Sequence, residues 1–180
     1  MSDSTCTHPH QGTGKRMMAA SITLEDPKET LVAMGKIATG QAPERMRSVL
    51  GSCIGLALYH PRLQVGAFAH IVLPDSAGRT GSPGKFADTA VPHMITLLER
   101  MGATVHGLTA KVAGGANMFN GSGPLQIGTA NVEAVARALE TAGIRIAAKD
   151  VGGTHGRRVT LDCDTGRLIV ESAGKTPQVL

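Results

Sequence analysis

The sequence predicts one domain of the α+β class, a mixed α/β arrangement in which strands outnumber helices. Short apolar segments of strand length follow one another along the chain, and only two segments show the apolar spacing of an amphipathic helix. No repeat or linker interrupts this order. With 180 residues and 42% hydrophobic content, the chain can bury one core, which must be aliphatic because aromatic residues make up only 2%.

The first predicted element is a hairpin of two buried strands. Residues 48–59 (SVLGSCIGLALY) are mostly apolar and predict one strand, and residues 65–73 predict a second, with His60 in the turn between them. Such a hairpin would bring Cys53 and His70 together.

The remaining elements alternate between loop, helix and strand. Residues 75–84 are rich in Gly, Ser, Asp and Pro, which is typical of a loop. Apolar spacing predicts helices over 85–101, with Pro92 in the first turn or at a kink, and over 129–142. Further strands share short apolar runs bounded by turn residues, and they are predicted at 108–113, at 144–150 and in a hairpin over 159–172.

The first 20 residues differ in composition from the rest of the chain. Residues 1–20 are polar and lack the apolar centre of an export signal, so we interpret them as a disordered extension and 21–180 as the single domain. Cys6, His8 and His10 in this extension predict adventitious metal binding rather than a built site. Three cysteines cannot all pair, and no apolar run reaches about 20 residues, which indicates a reducing cytoplasm and no membrane insertion.

The formal net charge of +4 is spread along the chain, as on an ordinary solvated surface. No basic run is longer than Arg157-Arg158, and few aromatic rings are available to stack on bases. A nucleic-acid partner is therefore not expected.

Cys53 and His70 offer the strongest candidate chemistry. An imidazole that accepts the thiol proton would lower the pKa of the thiol and could then protonate a departing amine. Gly51 and Ser52, beside the thiol, could present backbone N–H groups to an oxyanion. A free cysteine in an apolar strand is, however, commonly an inert core residue, and the spacing alone leaves both interpretations open.

Two glycine pairs follow predicted strands. Gly114-Gly115 lacks the spacing and the lysine of a phosphate-binding loop, so we interpret it as part of an active-site wall. Gly152-Gly153, together with His155 and Arg157, is assigned a structural or substrate-contact role. Cys163 is predicted to be a core residue, and His93 and His106 to be surface residues near helix ends.

Five segments in order resemble the CheD family of chemoreceptor glutamine deamidases. The resemblance extends from about residue 48 to about residue 170. The segments are 65–76 (VGAFAHIVLPDS), 83–91 (PGKFADTAV), 111–119 (KVAGGANMF), 127–132 (IGTANV) and 150–153 (DVGG).

The resemblance implies a layered core of sheet on sheet with two main helices packed outside. It also implies a cytoplasmic cysteine hydrolase that needs no cofactor and no metal. Such an enzyme converts glutamines of methyl-accepting receptors to glutamates, through a thioester on Cys53 and acid–base chemistry on His70. The implied partners are the helical cytoplasmic domain of a receptor and a CheC-type phosphatase that occupies the catalytic groove.

The third catalytic residue of the family is a threonine shortly before the cysteine, and here the sequence departs from the pattern. Arg47 stands six residues before Cys53, and Ser48 follows it. We expect the Ser48 hydroxyl to orient His70. The alternatives are a changed role for Arg47 or orientation of the ring by a backbone carbonyl.

Three other functions compete with this interpretation. Metal catalysis is disfavoured because Cys53 and His70 are only two strong ligands. A papain-like protease is disfavoured because its cysteine signature is absent from the sequence. A non-enzymatic chemotaxis adaptor that binds receptors or a CheC-type phosphatase through the same groove remains the alternative.

Overall fold

The computed structural model describes Met1 and residues 26–117 and 126–180. Apart from Met1, the predicted extension over 1–20, with Cys6, His8 and His10, lies outside the described residues.

Ten strands and two α-helices make up the regular structure of the described residues. The strands are β1 (Glu29–Leu31), β2 (Ile37–Gln41), β3 (Arg45–Leu50), β4 (Ile54–His60), β5 (Val65–Ile71), β6 (Thr109–Gly114), β7 (Ile146–Val151), β8 (Arg157–Asp162), β9 (Leu168–Ser172) and β10 (Gln178–Val179). The helices are α1 (Ala87–Arg100) and α2 (Ile127–Thr141). Neither helix is long and apolar enough to cross a membrane, and the same holds throughout the part of the chain that the structure describes.

The strands form two sheets of five. The outer sheet has the order β1-β3-β8-β9-β10, and the central sheet has the order β2-β5-β4-β6-β7. Most neighbours are antiparallel, whereas β1 with β3 and β6 with β7 are parallel. The predicted α+β class and its sheet-on-sheet core with two helices are confirmed.

The central sheet is covered on both faces, which explains why every residue of β4 and β5 is buried. One apolar cluster joins this sheet to the outer sheet and includes Phe68, Met46 and Leu161. The other cluster joins the opposite face to the helices and includes Ile71 and Leu139. Among the described residues, mainly aliphatic side chains and the ring of Phe68 therefore fill the space between the sheets.

The prediction of one strand over 48–59 is wrong. The chain leaves the outer sheet at Leu50, bends through residues 51–53 and enters the central sheet at Ile54. Only residues 48–50 of this segment belong to β3, which alternates between exposed and buried residues, and they are too few to show that alternation before the fully buried β4 begins. His60 is also not in the turn, because it ends β4 as a buried residue whose Nδ1 accepts the Leu63 N–H at 3.3 Å.

The other predicted elements are confirmed. β4 and β5 form the expected antiparallel hairpin, with Gly55 opposite His70. Both helices lie within two residues of their predicted starts, although Pro92 lies inside α1 beyond its first turn. The late hairpin is formed by β8 and β9.

Candidate active site

Cys53 lies at the bend where the chain passes from one sheet to the other, and its side chain is partly buried. All three carbonyls of this bend accept hydrogen bonds: Gly51 from the Ala116 N–H at 2.9 Å, Ser52 from Asn131 Nδ2 at 3.1 Å and Cys53 from the Gly115 N–H at 2.9 Å. The backbone that carries the thiol is therefore held by the end of β6 and by α2.

Gly114 and Gly115 allow this close contact. Both have positive φ angles, +109° and +66°, which L side chains rarely adopt. A Cβ on Gly114 would overlap the Cys53 carbonyl oxygen, and a Cβ on Gly115 would lie 2.6 Å from Val132 Cγ2. These two glycines lie against the Cys53 bend, where the sequence analysis placed a wall of the site.

His70 lies on β5, and only 4% of the residue is exposed. Its partner across the hairpin is Gly55, two residues after Cys53. Paired residues of an antiparallel ladder project to the same face, and so do residues two apart on one strand. Phe68, two residues before His70, packs in the cluster between the sheets, and Cys53 packs against the same cluster. The thiol and the imidazole thus belong to the same layer and the same end of the hairpin.

Ser48 reaches His70 from the opposite sheet. Its Oγ lies 2.7 Å from His70 Nδ1 and donates to the Val32 carbonyl at 2.8 Å. A hydroxyl has one hydrogen to donate, so with that hydrogen on the Val32 carbonyl its oxygen accepts the Nδ1–H. This arrangement leaves the lone pair of the neutral ring on Nε2. That atom is buried, and no hydrogen-bond partner for it exists among the described residues.

Arg47 points away from this layer. β3 alternates between exposed and buried side chains, with Met46, Ser48 and Leu50 buried, and its register with β8 runs without a bulge. The Arg47 side chain forms an ion pair with Glu29 at 3.1 Å on the outer face. The structure therefore brings Ser48, and not Arg47, to His70.

Burial shifts the pKa values of Cys53 and His70 in the directions that favour the neutral form of each side chain. Burial raises the pKa of the Cys53 thiol. Burial also lowers the pKa of the His70 imidazole, an effect that the Val32 carbonyl partly opposes. The expected lowering of the Cys53 pKa is therefore not found, and burial favours the neutral form of each group.

Arg157 contacts the protein itself. It is 8% exposed, pairs with Asp150 at 3.0 Å and donates to the Gly152 carbonyl at 2.8 Å. The Gly152 N–H in turn donates to the Gly114 carbonyl at 2.9 Å. These contacts place Arg157 and Gly152 behind the Gly114 wall.

Asn131 lies near the site and was not predicted from the sequence. It lies inside α2 with no exposed surface, and its amide contacts the bend that carries Cys53. An asparagine in the interior of a helix, on the apolar side, is unfavourable without a specific partner, and its presence there was the available signal.

No group of three or more His, Cys, Asp or Glu side chains suited to a metal occurs among residues 26–117 and 126–180.

A family model described as CheD chemotactic sensory transduction matches residues 72–172, which is more than half of the chain. The chain belongs to the CheD family. A CheD relative from Thermotoga maritima, named chemoreceptor glutamine deamidase CheD, is 47% identical over 130 residues, covering 72% of this chain and 82% of the relative.

Two more CheD relatives are named probable chemoreceptor glutamine deamidase CheD. The protein from Symbiobacterium thermophilum is 43% identical over 160 residues, covering 84% of this chain and 97% of its own. The protein from Methanococcus maripaludis strain C5 is 39% identical over 146 residues, which cover 80% of this chain and 95% of that relative. The resemblance to the CheD family that the sequence motifs indicated is confirmed.

Proposed function

We propose that this protein is a cysteine hydrolase that deamidates glutamine side chains of methyl-accepting chemotaxis receptors to glutamates. The observation that carries the proposal is the hydrogen bond that His70 Nδ1–H donates to Ser48 Oγ, which leaves Nε2 as a base in the layer that also holds Cys53. The names of the CheD relatives support glutamine deamidation as the reaction.

The first half-reaction forms a thioester. His70 Nε2 accepts the Cys53 proton as sulfur attacks the amide carbon, and the amide oxygen becomes an oxyanion. The imidazolium then gives its proton to the departing nitrogen, so the C–N bond breaks and ammonia leaves. Ser48 holds the ring through Nδ1 in both steps.

The second half-reaction restores the enzyme. Neutral His70 takes a proton from water, the resulting hydroxide attacks the thioester carbon, and the C–S bond breaks. The thiolate recovers its proton from the imidazolium. The net reaction consumes one amide and one water and yields a carboxylic acid and ammonia.

Backbone N–H groups of the bend supply the oxyanion site in this mechanism. The carbonyls of residues 51–53 are all engaged elsewhere, whereas the Ser52 and Cys53 N–H groups donate to no described residue. Free N–H groups beside a nucleophile are suited to stabilise an oxyanion. Gly51, without a side chain, leaves room for the substrate to approach them.

The proposed partners follow from the CheD family. The substrate is the helical cytoplasmic domain of a receptor, so the protein works in the cytoplasm. A CheC-type phosphatase is the proposed regulatory partner, and it covers the groove that contains Cys53. No nucleic acid, metal or cofactor takes part.

The test is incubation of the full chain with a receptor cytoplasmic fragment, followed by peptide mass spectrometry. Glutamine-to-glutamate conversion at specific positions is expected with the wild type and not with Cys53→Ala. Equal conversion by Cys53→Ala would overturn the mechanism. Binding of the fragment by the folded wild type without any conversion would instead identify a non-enzymatic adaptor.

A further inference from the structure

Asn131 connects the two backbone segments that carry the candidate catalytic pair. Its Nδ2 donates to the Ser52 carbonyl at 3.1 Å and to the Val72 carbonyl at 3.0 Å. Ser52 immediately precedes Cys53, and Val72 follows His70 by two residues. One side-chain amino group therefore fixes the distance between the nucleophile bend and the end of the strand that carries the base.

The orientation of this amide is set by its partners. Carbonyl oxygens only accept hydrogen bonds, so the end that faces Ser52 and Val72 must be the amino group. Oδ1 then faces the other way, buried and without a donor in the described part of the chain. A buried acceptor without a partner is unfavourable for folding. The two hydrogen bonds that Nδ2 donates to the segments carrying Cys53 and His70 offset this unfavourable free energy.

We propose that Asn131 is a positioning residue that sets the geometry of Cys53 relative to His70. It touches neither reacting group. Other elements support each segment separately, since Gly115 holds the Cys53 carbonyl and the Lys85 carbonyl accepts the Val72 N–H. Asn131 differs from Gly115 and Lys85 because its side chain bonds to both segments at once. The proposal rests on the proposed function, in which Cys53 and His70 act as a pair.

The decisive experiment is a double-mutant cycle read by alkylation of Cys53 with iodoacetamide at neutral pH. Peptide mass spectrometry separates Cys53 from Cys6 and Cys163, so the native chain can be used. Asn131→Ser, which is too short to reach both carbonyls, is expected to slow alkylation about ten-fold in the wild-type background and less than about two-fold when His70 is already alanine. An equal factor in both backgrounds would reduce Asn131 to a structural role.

A second variant keeps the test usable if the serine protein fails to fold. Asn131→Asp preserves the shape but puts a carboxylate against two carbonyls. Protonation of that acid restores one donor, so the ratio of variant to wild-type alkylation rate is expected to rise as the pH falls. A ratio that does not change with pH would contradict the proposal.

Leu139→Ala is the matched control, because Leu139 is buried on the same helix. It removes core packing but no hydrogen bond to Ser52 or Val72. Below its melting temperature, this control is expected to alkylate Cys53 at the wild-type rate. A slowing equal to that of Asn131→Ser would show that loosening α2 is sufficient and would overturn the proposal.

The outcomes separate this inference from the proposed function. A non-additive cycle with no receptor deamidation would retain Asn131 as a positioning residue and reject the deamidase. Receptor deamidation with an additive cycle would do the reverse.

Discussion

Cys53 and Cys163 contact the same apolar layer between the two sheets, yet their surroundings differ in charge and access. Cys163 follows β8 and is fully buried, and burial, with the carboxylates of Glu44 and Asp162 in addition, raises the pKa of its thiol to about 12. Cys53 is partly exposed, and burial alone raises its pKa. Cys53 also shares the layer with the imidazole of His70, whose Nε2 has no hydrogen-bond partner among the described residues.

The comparison shows that residue type and layer do not decide the chemistry of a thiol. The position along the chain does, because Cys53 lies at a bend where the Ser52 and Cys53 N–H groups donate to no described residue, whereas the Cys163 N–H donates to the Glu44 carbonyl at 3.1 Å. The prediction that Cys163 is a core residue is confirmed.

The largest expected contrast is in activity. Cys53→Ala should lower receptor deamidation by about 10³-fold or more, since loss of a covalent nucleophile removes the pathway. Cys163→Ala should keep activity and lose about 1 kcal/mol of stability, because it leaves a small cavity in the core. Deamidation assays and urea unfolding of both variants measure this. Loss of deamidation in a folded Cys163→Ala protein would break the contrast.

Thiol reactivity should separate the two residues by a comparable factor. With a pKa of about 12 and no access, Cys163 should react with iodoacetamide roughly 10³-fold more slowly than Cys53 at neutral pH. The difference should disappear in urea, where both side chains are solvated. Time-resolved alkylation with peptide mass spectrometry measures both rates in one sample. Similar rates in the folded protein would contradict the buried position of Cys163.

Ser48→Ala should make Cys53 less reactive, and so more like Cys163, because it removes the hydrogen bond that orients His70. We expect kcat for deamidation to fall by about ten- to a hundred-fold with little change in KM, since the ring is kept but is less constrained. Arg47→Ala is the adjacent control, and it removes only a surface ion pair worth about 0–1 kcal/mol. A silent Ser48→Ala beside an inactive Arg47→Ala would transfer the role to Arg47.

The smallest effect concerns pH. Because burial lowers the pKa of His70, the neutral base should persist below pH 6.5, about the usual imidazole value, and the acid limb of kcat/KM should lie there. The unfolded chain binds the His70 proton more readily in that range. The stability that the folded protein has with neutral His70 is therefore fully present above about pH 6.5 and is lost as the pH falls through the folded pKa. His70→Gln should therefore lose less melting temperature than wild type on acidification. An equal loss in both proteins would contradict the lowered pKa.

Much of the fold could be predicted because local signals agreed with the final structure. The two helices have clear apolar spacing, and the β4–β5 and β8–β9 hairpins are bounded by turn residues. The division of 48–59 between two sheets could not be predicted, because the segment contains only three residues of β3, too few to show its alternation before the fully buried β4 begins. Which strands share a sheet depends on contacts distant in sequence, such as β3 with β8.

The candidate site was predictable to a similar degree. Cys53 and His70 stand out by type, and strand alternation already implied that only one of Arg47 and Ser48 could face the ring. Asn131 could not be found from spacing, since its partners are backbone carbonyls 59 and 79 residues away. The burial that raises the Cys53 pKa is likewise a property of the packed layers and not of the local sequence.

The Ser48–His70 hydrogen bond joins residues of different sheets, so the geometry of the site depends on the relative position of the two sheets. A shift of one sheet against the other that lengthened the distance from Ser48 Oγ to His70 Nδ1 by about one ångström would break this bond while both ladders stayed intact. Catalysis would then slow before the secondary structure melts, and substitutions at Phe68, which packs between the sheets, would act on the reaction without touching any reacting group.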